Sequence, residues 1–240
     1  MNRVVLVAAA AFVACSLSPS RALADLPGEG YRNHLVISLG VGIGSLSPSQ
    51  YNSYVDTFNS ASGSAAPASP AHVGFELHVP IILTYYFADY VLLRTGAEAA
   101  YFFPSESIAS ESVTNYGGIV EVPILLGGHY ALLDDRLIVE LAMGPGIAAY
   151  TSAGLSGSAQ NGYTGTQYYG DVAVGFESEL KGQYFVTPSF SVGLELGLRA
   201  LTSSALHDGS GNPAPPQNGS PLQLDMSGFR AVLEFGFVAF

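Results

Sequence analysis

The sequence predicts an all-β protein, an eight-stranded antiparallel up-and-down transmembrane β-barrel. Three observations carry that expectation. Charged residues make up 11% of the chain and apolar residues 48%, against ~25% charged in an ordinary soluble domain. Lysine, which soluble proteins use on surfaces and strand edges, occurs once, at Lys181. Beyond the leader no stretch reaches the ~18 uninterrupted apolar residues of a membrane helix. A closed barrel is the remaining way to satisfy every backbone polar group in lipid, and period-two alternation recurs eight times.

The first segment reads as a secretory signal over residues 1–24. Met1-Asn2-Arg3 is positive, Val4 to Ala14 is a run of eleven apolar residues, and Ala22-Leu23-Ala24 sets small residues at a cleavage site. Cys15 is the only cysteine, so no disulfide forms. Phe12-Val13-Ala14-Cys15 loosely matches a lipoprotein box, which keeps lipidation at Cys15 open, but Ala22-Leu23-Ala24 is the better site. The expected barrel domain is 25–240, with 216 residues, six basic groups and nineteen acidic ones. A net charge of −13 excludes nucleic acid as a partner.

In the first expected strand Leu35, Ile37, Leu39, Val41 and Ile43 share a face opposite Val36, Ser38, Gly40, Gly42 and Gly44. The second runs from Val73 to Tyr86. The third, Tyr90 to Phe103, sets Arg94, Gly96, Glu98 and Ala100 on its small-and-polar face. The fourth covers Tyr116–Leu132, the fifth Arg136–Tyr150, the sixth Tyr168–Leu180, the seventh Phe185–Leu201 and the eighth Met226–Phe240. Tight turns are expected at Ala88-Asp89, Leu133-Asp134-Asp135 and Lys181-Gly182-Gln183. The stretches Ser47–Ala71, Pro104–Asn115, Thr151–Gln167 and Thr202–Asp225 are long loops rich in Ser, Gly, Pro and Asn, of which Ser47–Ala71 and Thr202–Asp225 are expected to be mobile and surface-exposed. Short turns on one side and long loops on the other imply an outer-membrane barrel, with both termini in the periplasm. His78-Val79-Pro80-Ile81-Ile82-Leu83 and Glu121-Val122-Pro123-Ile124-Leu125-Leu126 form a weak repeat, in which proline suggests a shared bulge or bend.

Volume assigns the faces. Eight strands enclose a bore that side chains just fill. Leu, Ile, Val, Phe and Tyr would overfill it, whereas Gly, Ala, Ser and Glu fit, so the bulky face meets lipid and the lipocalin-like reverse is disfavoured. Tyr85, Tyr86, Phe87 and Tyr90, and at the other end Tyr101-Phe102-Phe103, cluster at strand ends like the aromatic girdles of such barrels.

On the Glu-Val-Pro-Ile-Leu-Leu stretch at 121–126, the Ala-Met-Gly-Pro-Gly-Ile stretch at 142–147 and the terminal Phe240, the chain resembles the small eight-stranded outer-membrane β-barrel family. That group includes the OmpA transmembrane domain and OmpX-type proteins. The resemblance covers nearly all of the expected mature chain. It implies the outer membrane of a Gram-negative bacterium, contact with outer-membrane lipids and lipopolysaccharide, and insertion by the barrel-assembly machinery with Phe240 as the assembly signal. Phe240 departs in parity, because Phe229, Ala231, Leu233, Phe235 and Phe237 form the apolar face while Val238 and Phe240 fall with Arg230 and Glu234. A bulge near Phe237 is one remedy.

The candidate site is an inward charge network of Glu76, Arg94, Glu98, Glu121, Glu140, Glu177, Glu179, Glu195, Arg199, Arg230 and Glu234. Residues four apart on one strand lie ~13 Å apart, so these charges must pair across strands. With three arginines expected against eight acids, some carboxylates need a proton, water or a cation. A polar plug is the first reading, and a narrow cation-favouring channel is the alternative. His78 with Glu76, and His129 with Glu121, give only two candidate ligands each, short of a zinc set, so no metal or cofactor is expected. Ser203, Ser204, His207 and Asp208 hold the atoms of a hydrolytic triad in an unpatterned loop, and a lipid A-modifying enzyme is the least favoured reading. Gly40-Val41-Gly42-Ile43-Gly44 has no following helix and cannot form a nucleotide loop. The expected function is non-enzymatic, a structural or surface-interaction barrel with a plugged lumen and external loops whose ligand the sequence does not name.

Overall fold

The computed structural model describes residues 32–46, 48–61, 72–103, 105–108, 111–133, 135–159, 162–216 and 219–239. The expected leader, Cys15 and Phe240 lie outside them. The elements in order are β1 (His34–Ser45), α1 (Ser49–Ala61), β2 (Phe75–Ala88), β3 (Val91–Phe102), β4 (Ser105–Ile108), β5 (Glu111–Leu132), β6 (Leu137–Ala159), β7 (Gly162–Gly170), β8 (Ala173–Thr187), β9 (Phe190–Ala200) and β10 (Gly228–Val238).

Eight strands form a closed antiparallel barrel. β1 pairs β2, β2 pairs β3, β3 pairs β5, and β5 pairs β6. β6 pairs β8, β8 pairs β9, β9 pairs β10, and β10 returns to β1. β4 and β7 are hairpin partners that prolong β5 and β6 on the loop side. Alternation sets the faces: Val41 and Ile43 are 50% and 66% exposed, while Val36 and Ser38 on the other parity are buried. The same outward row continues through Val79, Ile81 and Leu83 and through Leu194, Leu196 and Leu198.

The structure departs from the sequence expectations at four places. The expected sixth strand divides at Asp171-Val172 between β7 and β8, and β8 runs through Lys181-Gly182-Gln183 to Thr187. Lys181 and Gln183 are buried on the inward parity, so the alternation never stops there. The turn falls at Pro188-Ser189 instead, where proline forfeits no ladder N–H. The prolines at 80 and 123 produce no bulge of their own. The β1–β2 ladder skips two positions opposite Pro80 and resumes in register, because a residue without an N–H removes a bond without adding length. Register shifts lie instead at Tyr86/Ala88, Val120/Glu121 and Phe185/Thr187. β10 pairs both neighbours without a shift through Phe237, so the expected bulge is absent from the described part of that strand.

The loop side is the fourth departure: the described parts of 104–115 and 151–167, expected as loops, are strands of the β4–β5 and β6–β7 hairpins. α1 stacks Tyr51, Tyr54 and Val55 on one buried stripe, the i, i+3, i+4 spacing of an amphipathic helix. Asn52 bonds both the N–H and the C=O of Val73, at 2.9 and 3.0 Å. Gln50 bonds Pro221 O and accepts from the N–H of Gln223, at 3.0 and 3.1 Å. The segment from Leu201 to Met226 folds back on itself through Leu206 N to Leu222 O and Ala214 N to Leu206 O, both 2.8 Å. Leu206, Ala214, Leu222, Leu224 and Met226 are buried with the α1 stripe, Phe102, Ile119 and Tyr168 in one apolar cluster across the barrel mouth. The described parts of these two stretches are therefore a packed lid. Residues 62–71 fall outside the description.

A charge on the outward row would face hydrocarbon, so Val79→Arg should cost ~2–4 kcal/mol of folding free energy in lipid vesicles, read by denaturant titration. Gly42→Ser, facing inward, should also destabilise. A Cβ there would strike the Ala231 carbonyl and the Val232 backbone. Full tolerance of Val79→Arg would contradict the assignment of faces.

Candidate functional site

The bore is filled in three layers. Next to the tight turns, Val36, Tyr86, Leu92, Leu125, Ile138, Ala142 and Phe185 pack into an apolar cluster. These bulky residues occupy part of a lumen expected from sequence to hold small and polar side chains. The loop-side cluster closes the other end. Between them lies an ionic layer in which Glu76, Arg94, Glu98, Glu121, Glu140, Glu177, Glu179, Glu195, Arg199, Arg230 and Glu234 are all buried.

Pairing across strands follows from the ring. Arg94 on β3 donates to Glu140 Oε2 and Glu179 Oε2, each at 2.5 Å, and to Glu195 Oε2 at 3.3 Å. Arg230 on β10 reaches Glu177 at 2.9 Å, Glu195 at 3.2 Å, Glu98 at 3.3 Å, and Glu179. Arg199 on β9 grips both oxygens of Glu76 at 2.8 and 2.7 Å and reaches Glu121 at 3.4 Å. Its Nε donates to Met226 O at 2.9 Å, which ties the layer to the lid. Tyr86 donates its hydroxyl to Glu140 Oε1, which ties the layer to the turn-side cluster.

Sequence reasoning missed one member. Lys181 is fully buried and donates to Glu234 Oε2 at 2.6 Å, so the strands supply four inward cations rather than the three arginines. The signal was available, since Lys181 has the parity of Glu177 and Glu179. His78 also belongs, with Nε2 2.9 Å from Glu98 and Nδ1 3.8 Å from Glu76. It is a bridge between carboxylates rather than half of a metal pair. His129 sits eight residues from Glu121 on β5, ~26 Å along a strand, and packs edge-on to the Tyr86 ring at 4.8 Å. That pair forms no site. Glu98, Glu177 and Glu179 bring ligand atoms within 4.8 Å of one another, but Arg230 Nη2 bonds all three and stands where an ion would.

The loop residues with triad atoms form no triad. Ser203 Oγ donates to Ser204 O at 2.8 Å and accepts from Leu224 N at 2.9 Å. Ser204 Oγ accepts from Asp171 N at 2.5 Å. His207 faces Asp208 O through Nδ1 at 3.0 Å and Asp171 through Nε2 at 3.3 Å. Neither serine bonds the imidazole, so these side chains fasten the 202–225 segment to the start of β8. A nucleophile needs a positioned base.

No family model matches the chain, and no curated protein matches it. Solved structures do. The outer membrane protein OprG from Pseudomonas aeruginosa is 12% identical, with 89% of this chain and 99% of that chain covered at a TM-score of 0.51. Ail, the attachment invasion locus protein of Yersinia pestis, in complex with the heparin analogue sucrose octasulfate, is 10% identical, with 86% and 99% covered at 0.42. The outer membrane protease OmpT from Escherichia coli is 9% identical, with 87% and 97% covered at 0.46. The likeness to OprG shows that the chain shares the fold of a small outer-membrane β-barrel.

Removing one partner of a buried pair strands the other. Arg94→Met should cost ~3–5 kcal/mol, less where water reaches the layer. Lys181→Met should also lower the transition seen by heat-modified gel mobility, because Glu234 loses its donor. A Lys181→Met protein as stable as wild type would remove Lys181 from the layer. In the lid, the bond to Asp208 O, then Asp171, raises the His207 pKa above its ordinary 6.5. A raised folded value stabilises below the unfolded pKa and is lost as pH rises through the folded one. His207 should therefore titrate above 6.5 by NMR, with amides of the 202–208 segment exchanging faster on the alkaline side, and Asp171→Asn should lower that midpoint.

Proposed function

We propose that the chain is a non-enzymatic integral outer-membrane barrel whose body is a sealed stave ring and whose activity resides in its loop-side surface. The observation that carries this reading is the double seal: an apolar cluster lies at each end of the ionic layer, so the bore is occupied throughout its described length. The outward rows of Leu, Ile, Val and Phe suit hydrocarbon, which supports an outer-membrane location with lipids and lipopolysaccharide as neighbours. The tight turns and both ends of the described chain share one side of the barrel. That side would face the periplasm after insertion by the barrel-assembly machinery. The lid and the extended hairpins on the opposite side would face outward and meet a partner. Among the described loop residues Ser203 and Ser204 bond backbone atoms rather than His207, and each acid of the ionic layer has at least one oxygen held by another side chain, which supports the non-enzymatic reading.

The surplus of carboxylates over cations favours a second reading, a narrow cation-favouring channel, which requires both seals to open. One experiment separates the readings. The refolded protein in planar bilayers should pass no steady current, and the lipid A mass spectrum of cells expressing it should not change. A steady cation-selective current would replace the plug with the channel, and a modified lipid A would replace both with an enzyme.

A further inference from the structure

Eight carboxylates in the ionic layer face four fixed cations and His78. Each carboxylate has two oxygens, and all accept a bond from a side chain except Glu121 Oε1, Glu177 Oε1 and Glu234 Oε1. Two of these three converge. Glu121 Oε1 and Glu177 Oε1 both lie over Gly146, where an added Cβ would strike each of them. Their other oxygens are held from opposite sides, Glu121 Oε2 by Arg199 at 3.4 Å and Glu177 Oε2 by Arg230 at 2.9 Å. Both residues are fully buried. Two ionised carboxylate oxygens fixed together repel each other in a medium poorly able to screen them, so either a cation or a proton shared by the two carboxyl groups must lie between them.

We propose that Glu121 and Glu177, on β5 and β8 with Gly146 of β6 between them, form a binding site for one hard divalent cation of the calcium or magnesium class. The donor set is oxygen alone, which favours hard ions over zinc or copper, and water carried in with the ion would complete its coordination. The neighbouring Glu98 and Glu179 are taken by Arg230 and leave the ion to this pair. The site lies directly beneath the lid, since Arg199 links Glu121 to Met226, so an ion enters before the lid closes. A single shared proton is the competing occupant.

The test is to refold the full chain in zwitterionic detergent with calcium, with magnesium or with EDTA, remove free metal by gel filtration, and measure bound metal by atomic emission. The expected result is one ion retained per chain, with a melting transition several degrees above that of the EDTA sample. Glu121→Gln and Glu177→Gln should each abolish retention, while Glu177→Gln in EDTA melts no lower than wild type because like-charge crowding is relieved. Glu234→Gln, whose second oxygen is held by Lys181, should keep the ion. Wild type that retains neither metal after refolding overturns the proposal and assigns the pair to a proton, whether or not the variants fold. Loss of the ion in Glu234→Gln overturns it as well, because the layer's overall charge rather than this pair would then hold the metal.

Discussion

The interaction on which the rest depends is the sharing of a few buried cations among many carboxylates inside an eight-stranded ring. Such a ring leaves only enough bore for side chains, and a charge inside it keeps little hydration. Arg230 answers this by contacting carboxylates from three other strands, β3, β8 and β9. Arginine suits the position because its planar fork reaches several oxygens at once while staying charged. The glycines of facing strands follow from the same crowding. At Gly197 an added Cβ would meet the Arg230 guanidinium at 2.8 Å, so the long side chain crosses the bore over a neighbour that has none.

The apolar clusters at the two ends are the other half of this arrangement. By occupying the bore on either side they limit the access of water to the ionic layer and thereby strengthen the pairs in it. They also carry the cost of isolating surplus charge, which makes the seals and the layer mutually dependent. The lid is joined to the layer by a single described bond, Arg199 Nε to Met226 O. The buried hydroxyls of Tyr51 and Tyr54 bond Asn115 and Tyr168, each at 3.1 Å, and burial raises the pKa of both tyrosines well above its ordinary value. The lid is thus a folded element with its own satisfied polar groups.

The barrel was legible because its signal is strong: the period-two rows of β1, β2, β3, β9 and β10 hold over nearly their full lengths, and a slip of one residue would turn a whole row of Leu and Val inward. The lid was not, although its traces are present. Tyr51, Tyr54 and Val55 have helical spacing, and Leu222, Leu224 and Met226 alternate. Both patterns are short and set among Ser, Pro and Gly, so composition outweighed them. Lys181 was misplaced for a related reason: Lys-Gly-Gln has turn chemistry in isolation, and only the buried Glu234 on a strand far along the chain makes it a stave. The bulky turn-side cluster escaped notice because a bore tapering to an apolar base cannot be inferred from average face volume.

The ion pairs of the three arginines join residues 35 to 132 positions apart, which gives them a place in time as well as in space. No local hairpin contains them, and loop closure over such distances precedes any gain from the contact. Arg94 meets Glu140, Glu179 and Glu195 only when β3, β6, β8 and β9 have all taken their places. Until then these groups must stay hydrated, so a half-assembled sheet in lipid is disfavoured and the last seam closes together with the drying of the interior. A ring with a missing or slipped strand would leave carboxylates of the charged layer without counter-charges.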